Sequence, residues 1–187
     1  MDQDSTSPMK PAEGDIPLVV LFRHNLWANL RLMDTCLALN LAQLGETAAG
    51  TYGSIYETLR HIAGAEQWYL SLLTGSQPQI RLRREEQSSL AVIREQAAIS
   101  GAGLIAVATD ASPDGIVYMD DDNDENLVWP TPATIILAQV INHATEHRSQ
   151  VMTLLTQLGS EPEELSGWTY MDAIIKITPI PRPKPTE

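Results

Sequence analysis

The sequence predicts an all-α fold, a bundle of four long helices with a small β-hairpin inserted before the fourth. Four stretches have the spacing of apolar residues that is typical of amphipathic helices, and short to moderate connections join them. Two short β-prone runs stand between the third and the fourth stretch. The 187 residues suit one domain with a single hydrophobic core.

The first two helices have well-marked starts. The first covers about residues 17–40 and begins with Pro17, at a position in the first turn where proline is tolerated. The second covers about residues 54–74 and begins at Ser54, which has capping-box spacing to Glu57. Both helices should therefore start close to these residues.

The third and fourth helices are predicted over about residues 85–109 and 131–158. Gly101 and Gly103 weaken the prediction toward the end of the third helix, because glycine disfavours helix interiors. Gly159 directly follows the fourth helix and is expected to cap it.

The hairpin is predicted within residues 116–129, where "IVYM" and "NLVW" flank the acidic tip "DDDNDE". Pro130 and Pro132 are expected to end it. The acidic tip invites a calcium hypothesis, but an EF-hand loop needs glycine at its sixth position and glutamate at its twelfth. Those positions hold Glu125 and Thr131, so a solvated tip is the better interpretation.

The two ends of the chain lack helical periodicity. Residues 1–14 predict a disordered N-terminal tail, and the proline-rich residues 178–187 predict a C-terminal tail. A single domain of residues 15–177 lies between them, and a short fifth helical piece is expected near residues 162–168.

Composition excludes several classes of partner. The chain has 12 basic and 24 acidic residues, a net charge of −12, which disfavours nucleic acid and anionic membranes. No apolar run approaches the roughly 18 residues of a membrane span, and the acidic N-terminus does not resemble a signal peptide. The single cysteine, Cys36, is interpreted as a core residue. One cysteine cannot form a disulfide within the chain, which fits a reducing compartment. The sequence therefore predicts a cytoplasmic protein.

Three of the four histidines lie where an apolar helix face meets a polar one. His143 and His147 are four residues apart, about 40° around the helix axis, so both rings can face one point. His61 lies at the edge of the apolar face of the second helix. Such a set can bind a divalent metal ion, but histidines that only pack or form hydrogen bonds remain the alternative. His24 can line the same pocket, ligate, or serve as a hydrogen-bonded core residue.

Four charged or polar residues near the histidines allow more than one role. Glu66 falls within an apolar arc, so it must be paired or have a shifted pKa. A structural partner, such as an arginine on the first helix, is the favoured interpretation, and a catalytic role is the alternative. Glu146 is a candidate base or a residue that supports the ligands, or else an exposed helix residue. Gln150 is placed to orient a substrate, and Arg148 points away from the histidines and is expected to form a structural pair.

Three stretches resemble the DinB/YfiT-like superfamily of metal-dependent proteins. They are "HNLWANLRLMD" (24–34), "HIAGAEQWYL" (61–70) and "NHATEHRSQV" (142–151), the last similar to the family's His-x-x-x-His-Arg-x-Gln signature. The resemblance implies an up-down-down-up four-helix bundle, often a homodimer, with a metal at one end. It also implies that His61, His143 and His147 are the metal ligands. The acidic hairpin and the histidine at position 24 depart from the family pattern, and this puts the shape of the pocket and the substrate in doubt.

Two hypotheses of function follow. In the first, the protein is a metal-dependent enzyme in which zinc or nickel activates water or a low-molecular-weight thiol, as a hydrolase or a thiol S-transferase acting on a small molecule. In the second, it is a non-catalytic, metal-stabilised dimeric bundle that binds a small ligand or partner. The wide apolar arc of the fourth helix, Leu137, Ile141, Met152 and Leu155, allows a dimer contact under either hypothesis.

Overall fold

The structure is a computed structural model, and it describes residues 7–84, 86–110, 115–121 and 123–176. It is mostly helical, with one two-stranded antiparallel sheet. The helices are α1 (Pro17–Cys36), α2 (Leu41–Leu44), α3 (Ile55–Thr74), α4 (Leu90–Asp110), α5 (Ala133–Gln157) and α6 (Gly167–Tyr170). The strands are β1 (Ile116–Asp120) and β2 (Val128–Pro132). A 3-10 helix covers Ser7–Met9 and a π-helix covers Met171–Ile175.

The four long helices pack around a shared hydrophobic core. α1 contacts α4 and α5, and α3 contacts the same two helices, so α4 and α5 each bridge the other pair. Every long helix contributes almost fully buried apolar side chains to this core, among them Phe22, Leu26, Leu59, Ile93, Leu104, Leu137 and Leu154. Each such side chain stabilises the fold by roughly 1.5–3 kcal/mol through its removal from water.

The first predicted helix ends four residues earlier than expected. α1 stops at Cys36, and Asn40 instead caps α2, where its side chain accepts a hydrogen bond from the Gln43 backbone N–H at 3.0 Å. The Gln43 side chain in turn accepts from the Asn40 N–H, which completes a capping box. Asparagine is a poor residue inside a helix and a good one at its start, so the chain turns here.

The start of α3 confirms the predicted capping box. The Ser54 side chain accepts a hydrogen bond from the Glu57 N–H, and the Glu57 carboxylate accepts one from the Ser54 N–H. Gly75 ends the helix with φ of 71°, a left-handed conformation that glycine adopts without strain. These two caps fix where α3 begins and ends, and therefore the position of His61 along the helix.

α4 begins at Leu90, later than predicted, and continues through both glycines. Gly101 and Gly103 do not break the helix, because they let it approach its neighbours. A Cβ atom at Gly101 would lie 2.6 Å from Leu26 Cδ1 of α1, and one at Gly103 would lie 2.6 Å from Leu70 Cδ2 of α3. The cost of glycine in a helix is therefore offset by close packing on two sides.

α4 also corrects the expectation about apolar runs. Within the described residues it is long and apolar enough to cross a membrane by length and composition, with a mean hydropathy of 1.4 over 18 residues. The core helix of a globular domain has the same composition, and α4 packs against both α1 and α3.

The hairpin forms as predicted, but its prolines lie inside it. Pro130 pairs with Tyr118 and Pro132 pairs with Ile116, so the second strand includes both prolines. In a two-stranded sheet each strand has an open edge, where a residue without an N–H leaves no neighbour unpaired. At the tip, the Asp121 carboxylate accepts hydrogen bonds from the backbone N–H groups of Asn123 and Asp124.

The segment after α5 also differs from the prediction. The described residues 161–165 are not helical, and the short helix lies further on, where Ser166 caps α6 by accepting from the Thr169 N–H.

At the other end of the chain, residues 7–14 belong to the folded part rather than to a disordered tail. Arg23 Nη1 donates to the Pro8 carbonyl at 2.6 Å, and the Tyr170 hydroxyl donates to the Met9 carbonyl. Residues 1–6 and the predicted C-terminal tail, 178–187, lie outside the described residues.

Candidate metal centre

Three histidines from two helices meet in one cluster. α3 carries His61, and α5 carries His143 and His147 on successive turns. The centroids of the three rings lie 4.5 to 4.8 Å apart. One potential ligand nitrogen from each ring lies within 4.8 Å of the other two, and all three residues are partly buried. The structure therefore brings together the three residues that the sequence singled out, and the cluster can hold a metal ion.

The environment of the cluster favours neutral imidazoles. His143 Nε2 and His61 Nε2 lie 2.9 Å apart, so protons on both nitrogens would clash. Burial, followed by the proximity of His143 and His147, lowers the pKa of His61 to about 4. Burial and His147 also lower the pKa of His143, although Glu146 acts in the opposite direction. Metal ions bind imidazole through a free lone pair, which the neutral form provides.

Gln150 contacts the cluster from the next turn of α5. Its side-chain oxygen lies 3.0 Å from His147 Nδ1 and also accepts a hydrogen bond from the Tyr52 backbone N–H at 3.0 Å. This contact leaves Nε2 of His147 as the nitrogen that can face a metal. The sequence placed Gln150 near His143, and the structure places its oxygen against His147.

Tyr52 is a residue that the sequence analysis missed. Its ring stacks on the His61 ring, with centroids 4.0 Å apart and planes 8° apart, and it meets the His147 ring edge-on at 5.3 Å. The Tyr69 ring lies near His143, with centroids 6.1 Å apart and planes 77° apart. Tyr52 lies in the loop before α3, and only its position between Gly50 and Gly53 hinted at a special loop.

Glu146 and His24 differ in their relation to the cluster. Glu146 is exposed on α5, and its charge raises the pKa of His143, so it lies within electrostatic reach of the centre. His24 lies outside the cluster, where its Nε2 forms a 2.9 Å hydrogen bond with the Leu165 carbonyl. Burial lowers the pKa of His24. Of the alternatives left open for His24, the structure supports the hydrogen-bonded residue, in a partly buried position.

A buried polar network joins α1, α3 and α5. The Asn25 and Asn29 side chains each donate a hydrogen bond to Glu66 Oε1 at 2.7 Å, and their oxygens accept from Arg148 Nη1. The expected arginine partner of Glu66 thus comes from α5 rather than α1, and two asparagines carry the contact. The expectation that Arg148 makes a structural pair is confirmed, since Arg148 also donates to Thr145.

The charged form of Glu66 is disfavoured by burial despite these partners. Its Oε2 atom is buried without a hydrogen-bond partner in the described part of the chain. Burial raises the pKa of Glu66 to about 7, although Asn25, Arg148 and Asn29 oppose the shift. Burial likewise lowers the pKa of Arg148 to about 10. Burial of either the Glu66 or the Arg148 charge alone would destabilise the fold, and each charge offsets part of this cost for the other.

A separate cavity of about 800 Å³ lies between α3, α4 and the first strand. Its walls are mainly apolar, and the linked side chains of Gln67 and Gln96 also line it. None of the three clustered histidines lines this cavity. The histidine cluster therefore lies outside this cavity.

A helical fold in which two packed helices bring three histidines together defines a class of candidate metal-binding proteins. The model of the DinB family matches residues 8–181. This match covers most of the 187 residues, so the chain belongs to the DinB family. A comparison with curated proteins finds no match.

Proposed function

We propose that this protein binds one divalent metal ion through His61, His143 and His147. The observation that carries the proposal is the approach of three imidazole nitrogens to within 4.8 Å of one another. Zn²⁺ and similar ions bind imidazole nitrogen at about 2.0–2.1 Å, so one ion can reach three nitrogens so spaced after small side-chain rotations. Membership of the DinB family supports the same set of ligands.

The surroundings fit a metal with open coordination positions. Three neutral ligands leave the full double positive charge on the ion, which favours the binding of an anionic or polarisable fourth group. The three histidines are only partly buried, so a small molecule can approach. Zinc and nickel both suit an imidazole set, and Fe²⁺ and Co²⁺ suit it as well.

We infer further that the protein is an enzyme of the hydrolase or thiol S-transferase type. A divalent ion held here supplies Lewis acidity that lowers the pKa of a water molecule or of a low-molecular-weight thiol cosubstrate. Glu146 accepts the proton at the exposed side of the centre. Gln150 orients the small-molecule substrate through its side-chain NH₂ group, and the Tyr52 and Tyr69 rings flank the space beside the ligands.

We propose an up-down-down-up arrangement of the four long helices and a homodimer in the cytoplasm, with no nucleic acid or membrane partner. A non-catalytic dimeric bundle is the alternative. Leu137 and Leu155 of the apolar arc are buried within one chain, and Ile141 and Met152 pack against the same core, so the arc alone does not favour that alternative.

The test compares two histidine variants of the untagged protein. We expect about one equivalent of zinc or nickel per chain in the purified protein, lost in His143→Ala and kept in His24→Ala, since His24 lies outside the cluster. Thiol transfer and ester hydrolysis are then measured with several thiols and electrophiles. Turnover that is abolished by chelation and by His143→Ala supports an enzyme. Bound metal without turnover across the panel favours the non-catalytic alternative, and equal metal loss in both variants contradicts the proposed centre.

A further inference from the structure

We propose that Gln150 is a positioning residue that sets the tautomer of His147 and ties the Tyr52 loop to the metal ligands. One side-chain oxygen would thus control both the nitrogen that His147 presents and the placement of the aromatic ring over His61. The proposal rests on the proposed metal centre for its functional meaning, but the tautomer can be measured without metal.

The backbone of Tyr52 identifies the oxygen of Gln150. A backbone N–H can only donate, and the N–H of Tyr52 points at the Gln150 side chain at 3.0 Å. The atom it meets must therefore be the carbonyl oxygen rather than the amide nitrogen. This contact removes the ambiguity that normally affects the orientation of a glutamine side chain.

The Gln150 oxygen then determines which ring nitrogen of His147 carries the hydrogen. The same Gln150 oxygen lies 3.0 Å from His147 Nδ1, and an oxygen acceptor requires a donor on the other side. His147 Nδ1 must therefore carry the hydrogen, and the lone pair of the neutral ring is left on Nε2. A carbonyl oxygen has two lone pairs, and Tyr52 and His147 use both. Hydrogen bonds of this kind, behind a ligand, orient the ring and raise its basicity.

The second hydrogen bond holds a loop that is distant in sequence. Tyr52 and Gln150 are 98 residues apart, and their contact joins the loop before α3 to α5. The loop is also held by Thr51, whose hydroxyl donates to the Ala48 carbonyl at 2.9 Å and lies 3.1 Å from the Gly53 carbonyl. With its backbone fixed in this way, Tyr52 stacks its ring on His61 with the planes only 8° apart. The same glutamine thereby constrains both histidines: His147 through a direct hydrogen bond, and His61 through the stacked ring of Tyr52.

The experiment uses the full chain labelled with ¹⁵N at histidine, at about pH 8, where an ordinary imidazole is neutral. Long-range ¹H–¹⁵N spectra of the metal-free protein distinguish an Nδ1–H ring from an Nε2–H ring. We expect His147 to be protonated at Nδ1 in the wild type. Gln150→Ala should shift it toward the Nε2–H form. Gln150→Glu should keep the Nδ1–H form, because a carboxylate accepts both hydrogen bonds. Gln157→Ala, at an exposed glutamine near the end of the same helix, is the matched control.

Zinc titrations of the same proteins give the second readout. We expect Gln150→Ala to bind Zn²⁺ about 10–100-fold more weakly, and Gln150→Glu and Gln157→Ala to remain close to the wild type. An Nε2–H ring in the wild type, or a tautomer that Gln150→Ala leaves unchanged, overturns the proposal. If the wild type shows the expected tautomer but binds no Zn²⁺, the proposed metal centre is wrong while the hydrogen-bond assignment holds. Should Gln150→Ala fail to fold, the wild-type tautomer and the Gln150→Glu spectrum still decide the question.

Discussion

His61 and His143 are 82 residues apart in the chain, yet their Nε2 atoms lie 2.9 Å apart in the folded protein. At that distance the metal-free protein can hold one proton between the two nitrogens, and a second proton would bring two N–H hydrogens into contact. This pair makes the cluster resistant to protonation. The same two lone pairs become available together when a cation replaces the shared proton.

The first prediction concerns the acid stability of the metal-free protein. The pKa of His61 is lowered to about 4 in the folded state, against about 6.5 for an unperturbed histidine. The unfolded chain therefore binds the proton more readily, and stability is lost as the pH falls from about 6.5 toward 4. Because His61 is only partly buried, we expect a loss of about 1 kcal/mol from this residue after solvent screening.

Urea unfolding at several pH values measures this dependence, with His61→Gln as the comparison. The variant should lose less stability on acidification than the wild type does. Identical pH profiles for the two proteins would show that His61 keeps an ordinary pKa.

The second prediction concerns the buried pair of Glu66 and Arg148. Replacement of Arg148 by leucine leaves the Glu66 carboxylate buried with asparagine partners only, and we expect a loss of about 3–5 kcal/mol in the free energy of unfolding. The double variant with Glu66→Gln should recover part of this loss, because no charge is then left unpaired. Arg31→Leu serves as the control, since Arg31 pairs with Glu163 at the surface, where such pairs contribute about 0–1 kcal/mol. Additive effects of the Glu66 and Arg148 changes would argue against their coupling.

The third prediction reverses the usual effect of alanine in a helix. At an open helical position, replacing glycine by alanine stabilises by up to about 1 kcal/mol. At Gly101 the new Cβ would lie 2.6 Å from Leu26 Cδ1, so we expect Gly101→Ala to destabilise by about 1–3 kcal/mol. Gly167→Ala is the control, because a Cβ there meets no atom within 4 Å. Thermal unfolding distinguishes the two, and a stabilised Gly101→Ala variant would contradict the close packing of α1 and α4.

The fourth prediction concerns the single cysteine. Cys36 is fully buried, and burial raises the pKa of its thiol to about 12. We expect thiol reagents to label the native protein only as fast as it opens, and to label it at once in denaturant. In the thiol-transfer activity proposed above, the thiol would then come from a cosubstrate. Rapid labelling of native protein would instead mark Cys36 as an accessible nucleophile.

Local sequence patterns predicted the parts of the fold that depend on neighbouring residues. The capping box of Ser54 and Glu57 and the four-residue spacing of His143 and His147 both act within one or two helical turns. Such features can be read from a single sequence because the atoms that interact are close in the chain.

The missed features depend on contacts between distant segments. Tyr52 reaches the centre only because the loop before α3 folds against α5, and nothing near residue 52 encodes that contact. The arginine partner of Glu66 was expected on α1, but Arg148 lies on α5, and two asparagines of α1 connect it to Glu66. Gly101 and Gly103 looked like helix breakers until their neighbours on α1 and α3 were known.

The most direct test of the metal centre is X-ray absorption spectroscopy of the chain loaded with one equivalent of Zn²⁺. We predict scattering from three imidazole rings, with nitrogen at about 2.0–2.1 Å from the ion, and from two rings in His61→Ala. A spectrum with fewer than three imidazoles in the wild type, or one that His61→Ala leaves unchanged, would contradict the joining of α3 and α5 by a shared ion.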